Sequence, residues 1–280
     1  MPFKLAYSTN AYTRFRLPEA IRRIRALGFD GLEILADAPH LLPDWGDAEH
    51  AEVKAALQAT GLGISNVNVN TAKFLERLPP SSPDFGPTLI DPAPRRRARR
   101  LGQVLDAVVQ TALLGGPVMC VCSGPRIPGL ADRAAWRLLL ASLEPVAALA
   151  EAKRVRVGIE YEPGFLVGNA PATLRLLADL KSPWFGANLD LGHAVVCGED
   201  PARTIEAFGE RIWNCHIEDI RGKVHHHLVI GEGDIDFGRI RAALEGVGYA
   251  RYLTLELYTC ADRPDAAGRT SIRALRRIFG

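Results

Sequence analysis

The feature that most constrains this chain is a repeated switch between two hydrophobic periods. Short runs rich in β-branched residues fall at 3–9 (FKLAYST), 31–35 (GLEIL), 63–70 (GISNVNVN), 117–122 (PVMCVC), 154–161 (RVRVGIEY), 185–191 (FGANLDL), 212–218 (IWNCHIE) and 252–258 (YLTLELY). Between them, segments 17–28, 47–61, 92–116, 132–153, 170–181, 200–210, 237–248 and 268–279 carry apolar residues three and four apart, the helical spacing. Several of these open on Pro or Asp and close on Gly, as helix ends prefer. Strands alternating with helices predict a parallel sheet with crossover helices. Eight of each is the number that closes a (β/α)8 TIM barrel, and 280 residues suit one such α/β domain spanning 1–280. A doubly wound open sheet is the competing architecture, but no GxGxxG follows the first strand. Segment 71–92, rich in Pro, Ser and Gly, reads as an irregular connection of the lid type.

Charge and composition narrow the partners. A formal net charge of +2 argues against nucleic acid or an anionic membrane surface. No apolar run approaches the roughly 18–20 residues that span a bilayer. The start, MPFKLAYSTNAYTRF, lacks the apolar stretch of a signal peptide. Five cysteines form no recurring zinc-type spacing, so thiols in a cytoplasmic protein are the simplest expectation. The basic run at 95–100 (RRRARR) reads as the solvated start of a helix.

In a barrel the reactive groups sit at the C-terminal ends of the strands. Strand five ends on Glu160 and Glu162, strand six on Asp190 and His193, strand seven on His216, Glu218 and Asp219, and strand eight on Glu256. Carboxylates flanked by Ile, Leu and Val are costly to bury unless paired or bound to a cation. Several at one rim repel each other, and a divalent cation neutralises them. On this reading His216 is a ligand. Hard oxygens with one imidazole suit Mn²⁺ first, then Mg²⁺ or Co²⁺, with Zn²⁺ still open.

These strand-end motifs resemble the xylose-isomerase-like barrel superfamily, which includes sugar isomerases, ketose 3-epimerases and endonuclease IV. The likeness runs from AIRRIRALGFDGLEI (20–34) to LTLELY (253–258). In the ketose 3-epimerases a Glu, an Asp, a His and a Glu on strands five to eight hold the metal. The resemblance implies Glu160, Asp190, His216 and Glu256 in those places, with the two glutamates also acting as acid and base. It implies that His193, in the D-x-x-H motif, contacts substrate or a further metal, and that the chain forms a homo-oligomer. The nuclease branch is disfavoured. It carries Asp-x-His before a turn like IGEG, where this chain has His225 and His227, and it needs histidines where this chain has Asn66, Asn68, Asn70 and CVCSGP.

The run His225–His227 has two readings, a polar loop or a functional one. Alternating geometry would put His225 and His227 on one side and leave His226 exposed. His227 would then reach over the metal site to bind substrate or a second ion. Glu162, Glu218, Asp219 and Arg221 could bind substrate or orient His216, with structural pairing as the alternative. Trp45, Phe74 and Phe165 are candidate apolar walls. The expected activity is metal-dependent isomerisation or epimerisation of a ketose or keto-polyol, with Glu160 and Glu256 moving a proton through an enediolate. The alternatives are β-elimination by a lyase or dehydratase, and a non-catalytic sugar-binding barrel. The expected partner is a small carbohydrate, unphosphorylated because no phosphate-binding glycine loop follows strands seven and eight.

Overall fold

Strand pairing settles the choice between open sheet and barrel. In the computed structural model, which describes residues 3–77 and 85–280, eight parallel strands follow one another in order and the last closes on the first. They are β1 (Lys4–Ser8), β2 (Gly31–Leu35), β3 (Gly63–Asn68), β4 (Val118–Val121), β5 (Arg156–Ile159), β6 (Phe185–Asp190), β7 (Ile212–Ile217) and β8 (Tyr252–Leu255). The helices are α1 (Leu17–Leu27), α2 (Asp47–Thr60), α3 (Lys73–Glu76), α4 (Pro94–Leu113), α5 (Asp132–Lys153), α6 (Ala170–Leu180), α7 (Leu191–Val196), α8 (Pro201–Phe208), α9 (Phe237–Gly246) and α10 (Pro264–Phe279). Each expected helix has its counterpart, and α3 and α7 are short additions.

Helix α1 shows why these segments fold as they do. Pro18 sits in its first turn, Ile21 and Ile24 are buried, and Arg22 and Arg25 point outward. Gly28 ends it at φ 92°, a left-handed conformation that costs glycine nothing.

The barrel interior is built in tiers, because alternate residues of each strand face inward. Tyr252 forms the floor. A Cβ on Gly31 or Gly63 would lie 2.6 or 2.2 Å from Tyr252 atoms, so only glycine admits the ring there. The next tier is polar. The Asn214 amide donates to Asn188 Oδ1 at 2.8 Å, and the Thr254 hydroxyl lies 2.9 Å from Asn214 Oδ1 and 3.0 Å from Ser65 Oγ. One step further along the strands stand Glu33, Asp190, His216 and Glu256.

Two expectations need adjustment. Segment 71–92 contains one helical turn, α3, while 78–84 of the expected lid lie outside the described residues. The basic run is also not wholly solvated. Arg100 is buried and donates to the carbonyl oxygens of Val69, Asn70 (2.9 Å) and Thr71 (2.8 Å), satisfying backbone groups where β3 leaves the barrel.

Candidate active site

The strand ends bring together the four residues expected as ligands. One donor atom each from Glu160, Asp190, His216 and Glu256 lies within 4.8 Å of the others, and all four residues are buried. His216 Nδ1 is 3.4 Å from Glu160 Oε1, 3.7 Å from Glu256 Oε2 and 3.8 Å from Asp190 Oδ2. Ligands about 2.1 Å from a common ion stand roughly 3.0–3.4 Å apart when adjacent, so modest contraction would complete a coordination shell.

Each carboxylate uses its other oxygen as an anchor. Glu160 Oε2 accepts from the Asn188 amide. Glu256 Oε1 accepts from Asn10 Nδ2 at 2.9 Å and Asn68 Nδ2 at 3.2 Å. Asp190 Oδ1 caps α7 by accepting from the His193 N–H at 2.7 Å, while its Oδ2 is buried without a partner. A buried carboxylate oxygen left bare in this way fits a cation. The Asn188 amide nitrogen lies 3.2 Å from His216 Nδ1 and 3.5 Å from Nε2. Such similar distances put it over the ring face and leave the in-plane lone pair of Nδ1 free.

Glu33 was not picked out from the sequence. It is fully buried on β2 and accepts from His216 Nε2 at 2.6 Å, Asn66 Nδ2 at 2.7 Å, the Ser8 hydroxyl at 2.7 Å and Asn68 Nδ2 at 3.3 Å. It thereby fixes the tautomer of His216, with the proton on Nε2 and Nδ1 toward the cluster. A signal was present, since a carboxylate between Leu32 and Ile34 is as exceptional as the ones at strands five to eight. Asn66 and Asn68 on β3 serve as donors to these carboxylates. Cys120 is buried and receives a 3.0 Å contact from Asn66 Nδ2.

Titration follows from this crowding. Burial opposes charge on His216, yet Glu33, Glu256 and Glu160 hold its proton well above the usual range. Burial would raise Glu160, but His216 reverses the sign and lowers it. Glu256 is pushed well above the carboxylate range by burial and by Glu160 and Glu33 despite His216. The cluster needs positive charge, from protons or from a metal ion.

Beside these four lies an outer group. His193 Nδ1 donates to the Tyr161 carbonyl at 2.8 Å, turning Nε2 toward Glu162 Oε1 (3.8 Å) and His225 Nε2 (3.1 Å). Burial disfavours its charge, but Asp190, Glu162 and Glu160 lift its pKa to about 9. Glu162 is raised to about 7, first by burial. His227 Nδ1 donates to the Glu256 carbonyl at 2.9 Å, with the Tyr258 ring 4.7 Å away, and its pKa falls to about 4 through burial. His226 is exposed, as expected. Glu218 is fully buried with no donor close to either oxygen, and burial followed by the adjacent Asp190 carboxylate raises its pKa well above the usual range.

Two neighbours have structural roles. Asp219 accepts from the N–H groups of Ile220 (3.0 Å), Gly231 (2.9 Å) and Ile235 (3.2 Å) and thereby shapes the loop that carries the histidines. Arg221 departs from the expectation of substrate binding. It is exposed and donates to the Glu232 carbonyl, because that loop turns it toward solvent. Of the expected apolar walls, Phe165 is buried and packs edge-on against Phe85, with ring centres 4.9 Å apart. Trp45 packs edge-on against His50 instead.

A family model described as xylose isomerase-like TIM barrel matches residues 21–278. The chain belongs to the xylose isomerase-like TIM barrel family. This xylose isomerase-like chain is 24% identical to fructoselysine 3-epimerase of Shigella flexneri over 289 aligned positions, covering 99% of this chain and 98% of that one. Inosose dehydratase of Clostridium perfringens is 26% identical over 138 residues, 43% of this chain and 46% of that one. An uncharacterized protein of Methanocaldococcus jannaschii is 31% identical over 121 residues, and the chain spans 41% of its length. Among solved structures, Escherichia coli 3-keto-D-glucoside 4-epimerase superposes with TM-score 0.81 at 20% identity, covering 98% of this chain and 99% of that one. D-psicose 3-epimerase of Clostridium cellulolyticum H10 with D-tagatose gives 0.80 at 18% identity, covering 99% of each. At these identities the structural likeness speaks to the fold.

Proposed function

We propose that the chain is a divalent-metal-dependent epimerase or isomerase acting on a ketose or keto-polyol. The observation that carries this reading is the convergence of Glu160 Oε1, Asp190 Oδ2, His216 Nδ1 and Glu256 Oε2, with the rest of each side chain hydrogen-bonded elsewhere. The near full-length match to a fructoselysine 3-epimerase supports it.

Those four residues would hold Mn²⁺, or another divalent ion of similar hardness. When bound, the ion supplies positive charge that stabilises an enediolate and so acidifies the carbon between carbonyl and hydroxyl. The proton itself is moved by the chain. Glu160 and Glu256 directly follow β5 and β8, separated by two strands of the rim, so they approach a substrate lying over the cluster from different sides. One removes the proton and the other returns it, which inverts the carbon. Asn188 fixes the orientation of Glu160, and Asn10 and Asn68 fix that of Glu256. His193, His227 and Glu162 bind the remaining substrate oxygens at the mouth.

A dehydratase or lyase is the second reading, favoured by one observation. Glu218 is a buried carboxyl group whose hold on its proton is strengthened by burial and by the neighbouring Asp190, and it could give that proton to a departing hydroxyl. The local match to inosose dehydratase agrees.

Incubation with free ketoses, inososes and 3-keto-glycosides in D₂O separates the two. An epimer carrying deuterium at the inverted carbon supports epimerisation, whereas an unsaturated or dehydrated product supports elimination. An epimer without deuterium removes both glutamates from the proton-transfer role. Glu256→Gln should cut turnover by roughly 10²–10⁴-fold, with metal content measured on the same sample.

A further inference from the structure

We infer that a surface cleft between α5 and α6 binds a small organic phosphate, at a place apart from the four-ligand cluster. The cleft has a volume of about 610 Å³, and four arginines, Arg126, Arg133, Arg137 and Arg175, line it together with Asp132 and Trp136. That volume falls in the range of about 300–1,000 Å³ common for small-ligand sites. The lining residues come from the connections that follow β4 and β5 and from the first turns of α5 and α6, so the cleft lies on the face that carries the strand ends. None of its walls comes from Glu160, Asp190, His216 or Glu256.

Two of the guanidiniums are held in place. Arg175 lies over the Trp136 ring with its Cζ 4.4 Å from the ring centre, and the indole is fixed in turn by Nε1, which donates to Asp179 Oδ2 at 2.8 Å. Stacking leaves the N–H edge of a guanidinium free, and that edge meets a phosphate with paired hydrogen bonds. Arg126 is ion-paired with Asp132. The other two are uncompensated. Arg133 and Arg137 stand one helical turn apart on α5, both exposed and without a carboxylate partner among the described residues. Like charges at this spacing repel and weaken a helix, and a dianion set between them turns that repulsion into attraction.

A plain solvated helix face would also display arginines. It would not gather them around a hollow that has an apolar share. Leu166 and Ala172 line the cleft beside Trp136, which is only 9% exposed. Four guanidiniums against one carboxylate leave a surplus of positive charge in the lining. A phosphate ester carries about −1.5 to −2 at pH 7 and three acceptor oxygens, enough to engage several arginines at once. Inorganic phosphate alone would leave most of the space empty, so the apolar share suits a carbon body attached to it. Leu166 also shares its loop with Glu162, where the Phe165 N–H donates to the Glu162 carbonyl at 2.9 Å, so an occupant rests on the loop that carries Glu162. Binding in the cleft does not depend on the proposed ketose chemistry.

The test is calorimetric titration of the full chain with glycerol 3-phosphate in low-salt buffer, with glycerol as the uncharged control. Glycerol 3-phosphate has no carbonyl, so it is not a substrate for ketose chemistry. The wild type should bind one equivalent of the phosphate and no glycerol. Arg133→Gln/Arg137→Gln should raise the Kd roughly 10–100-fold, the effect of losing hydrogen bonds to a charged group. Arg175→Gln, which removes the stacked guanidinium, should weaken binding as well. Arg22→Gln/Arg25→Gln, an equal loss of charge on the outward face of α1, should bind as the wild type does. No binding to the wild type, an unchanged Kd in both α5 and α6 variants, or equal weakening in the α1 variant would overturn the inference. Failure of the ketose reading would look different, as intact binding of glycerol 3-phosphate without turnover of any ketose.

Discussion

Replacing Glu33 with Gln is the sharpest probe of how the candidate centre is assembled. Both Glu33 oxygens accept, one from His216 Nε2 and Asn66 Nδ2, the other from Ser8 Oγ and Asn68 Nδ2. A glutamine must point its NH₂ at one of these pairs of donors. The less costly choice faces Ser8, whose hydroxyl can rotate to accept, but it still confronts the Asn68 amide. Asn68 also anchors Glu256 Oε1 at 3.2 Å, so the disturbance reaches two of the proposed ligands, His216 directly and Glu256 through Asn68. Loss of a hydrogen bond to a charged partner costs about 1.5–3 kcal/mol, and groups that orient a metal-bound His typically contribute 10–100-fold in affinity. The two estimates agree, since 10–100-fold is about 1.4–2.8 kcal/mol. Competitive titration with a chelator of known affinity should therefore show the dissociation constant for Mn²⁺ rising 10–100-fold, with the folded far-UV spectrum retained. An affinity within about twofold of wild type would refute the argument that Glu33 sets the orientation of His216.

Three further outcomes can be measured. A Cβ on Gly192 would lie 1.9 Å from Glu218 Oε1, and Glu218 is fully buried, so Gly192→Ala should lose about 1–3 kcal/mol in urea unfolding; an unchanged midpoint would mean that Glu218 swings aside freely. His40 is buried, donates to the Phe15 carbonyl at 3.2 Å and has its pKa lowered by burial from 6.5 to about 4. The unfolded chain therefore takes up this proton first, and stability present above pH 6.5 is lost as pH falls toward 4. The difference is about 3 kcal/mol, and in metal-free protein His40→Gln should flatten the stability curve across that window, whereas parallel curves would exclude the role. The chain should not incise a duplex with an abasic site at physiological salt, because Asn66 and Asn68 are committed as donors to Glu33 and Glu256 and offer no imidazole to further zinc ions; metal-dependent incision would contradict this.

How much was legible in the sequence depended on whether the signal was local. The barrel was, because each strand and helix carries its own hydrophobic period, and eight alternations leave few ways to close. Glu160, Asp190, His216 and Glu256 were legible for the same reason. Each is a polar residue ending an apolar strand, and the fold class sends strand ends to one rim. What escaped was pairing across the barrel. Glu33 meets His216 over 183 positions of sequence, and Asn10 meets Glu256 over 246. Neither strand pattern marks the other, so only closure of β1 on β8 defines those contacts. The histidine run divides along the same line. Alternation predicts His226 apart from its neighbours, but His225 is exposed as well and the segment is not a strand; the meeting of His225 and His227 with His193 needed Asp219 to fold the loop back. Local periodicity is written residue by residue through the hydrophobic effect, but the partner of a buried polar group is chosen by whichever distant strand the closed sheet brings alongside it.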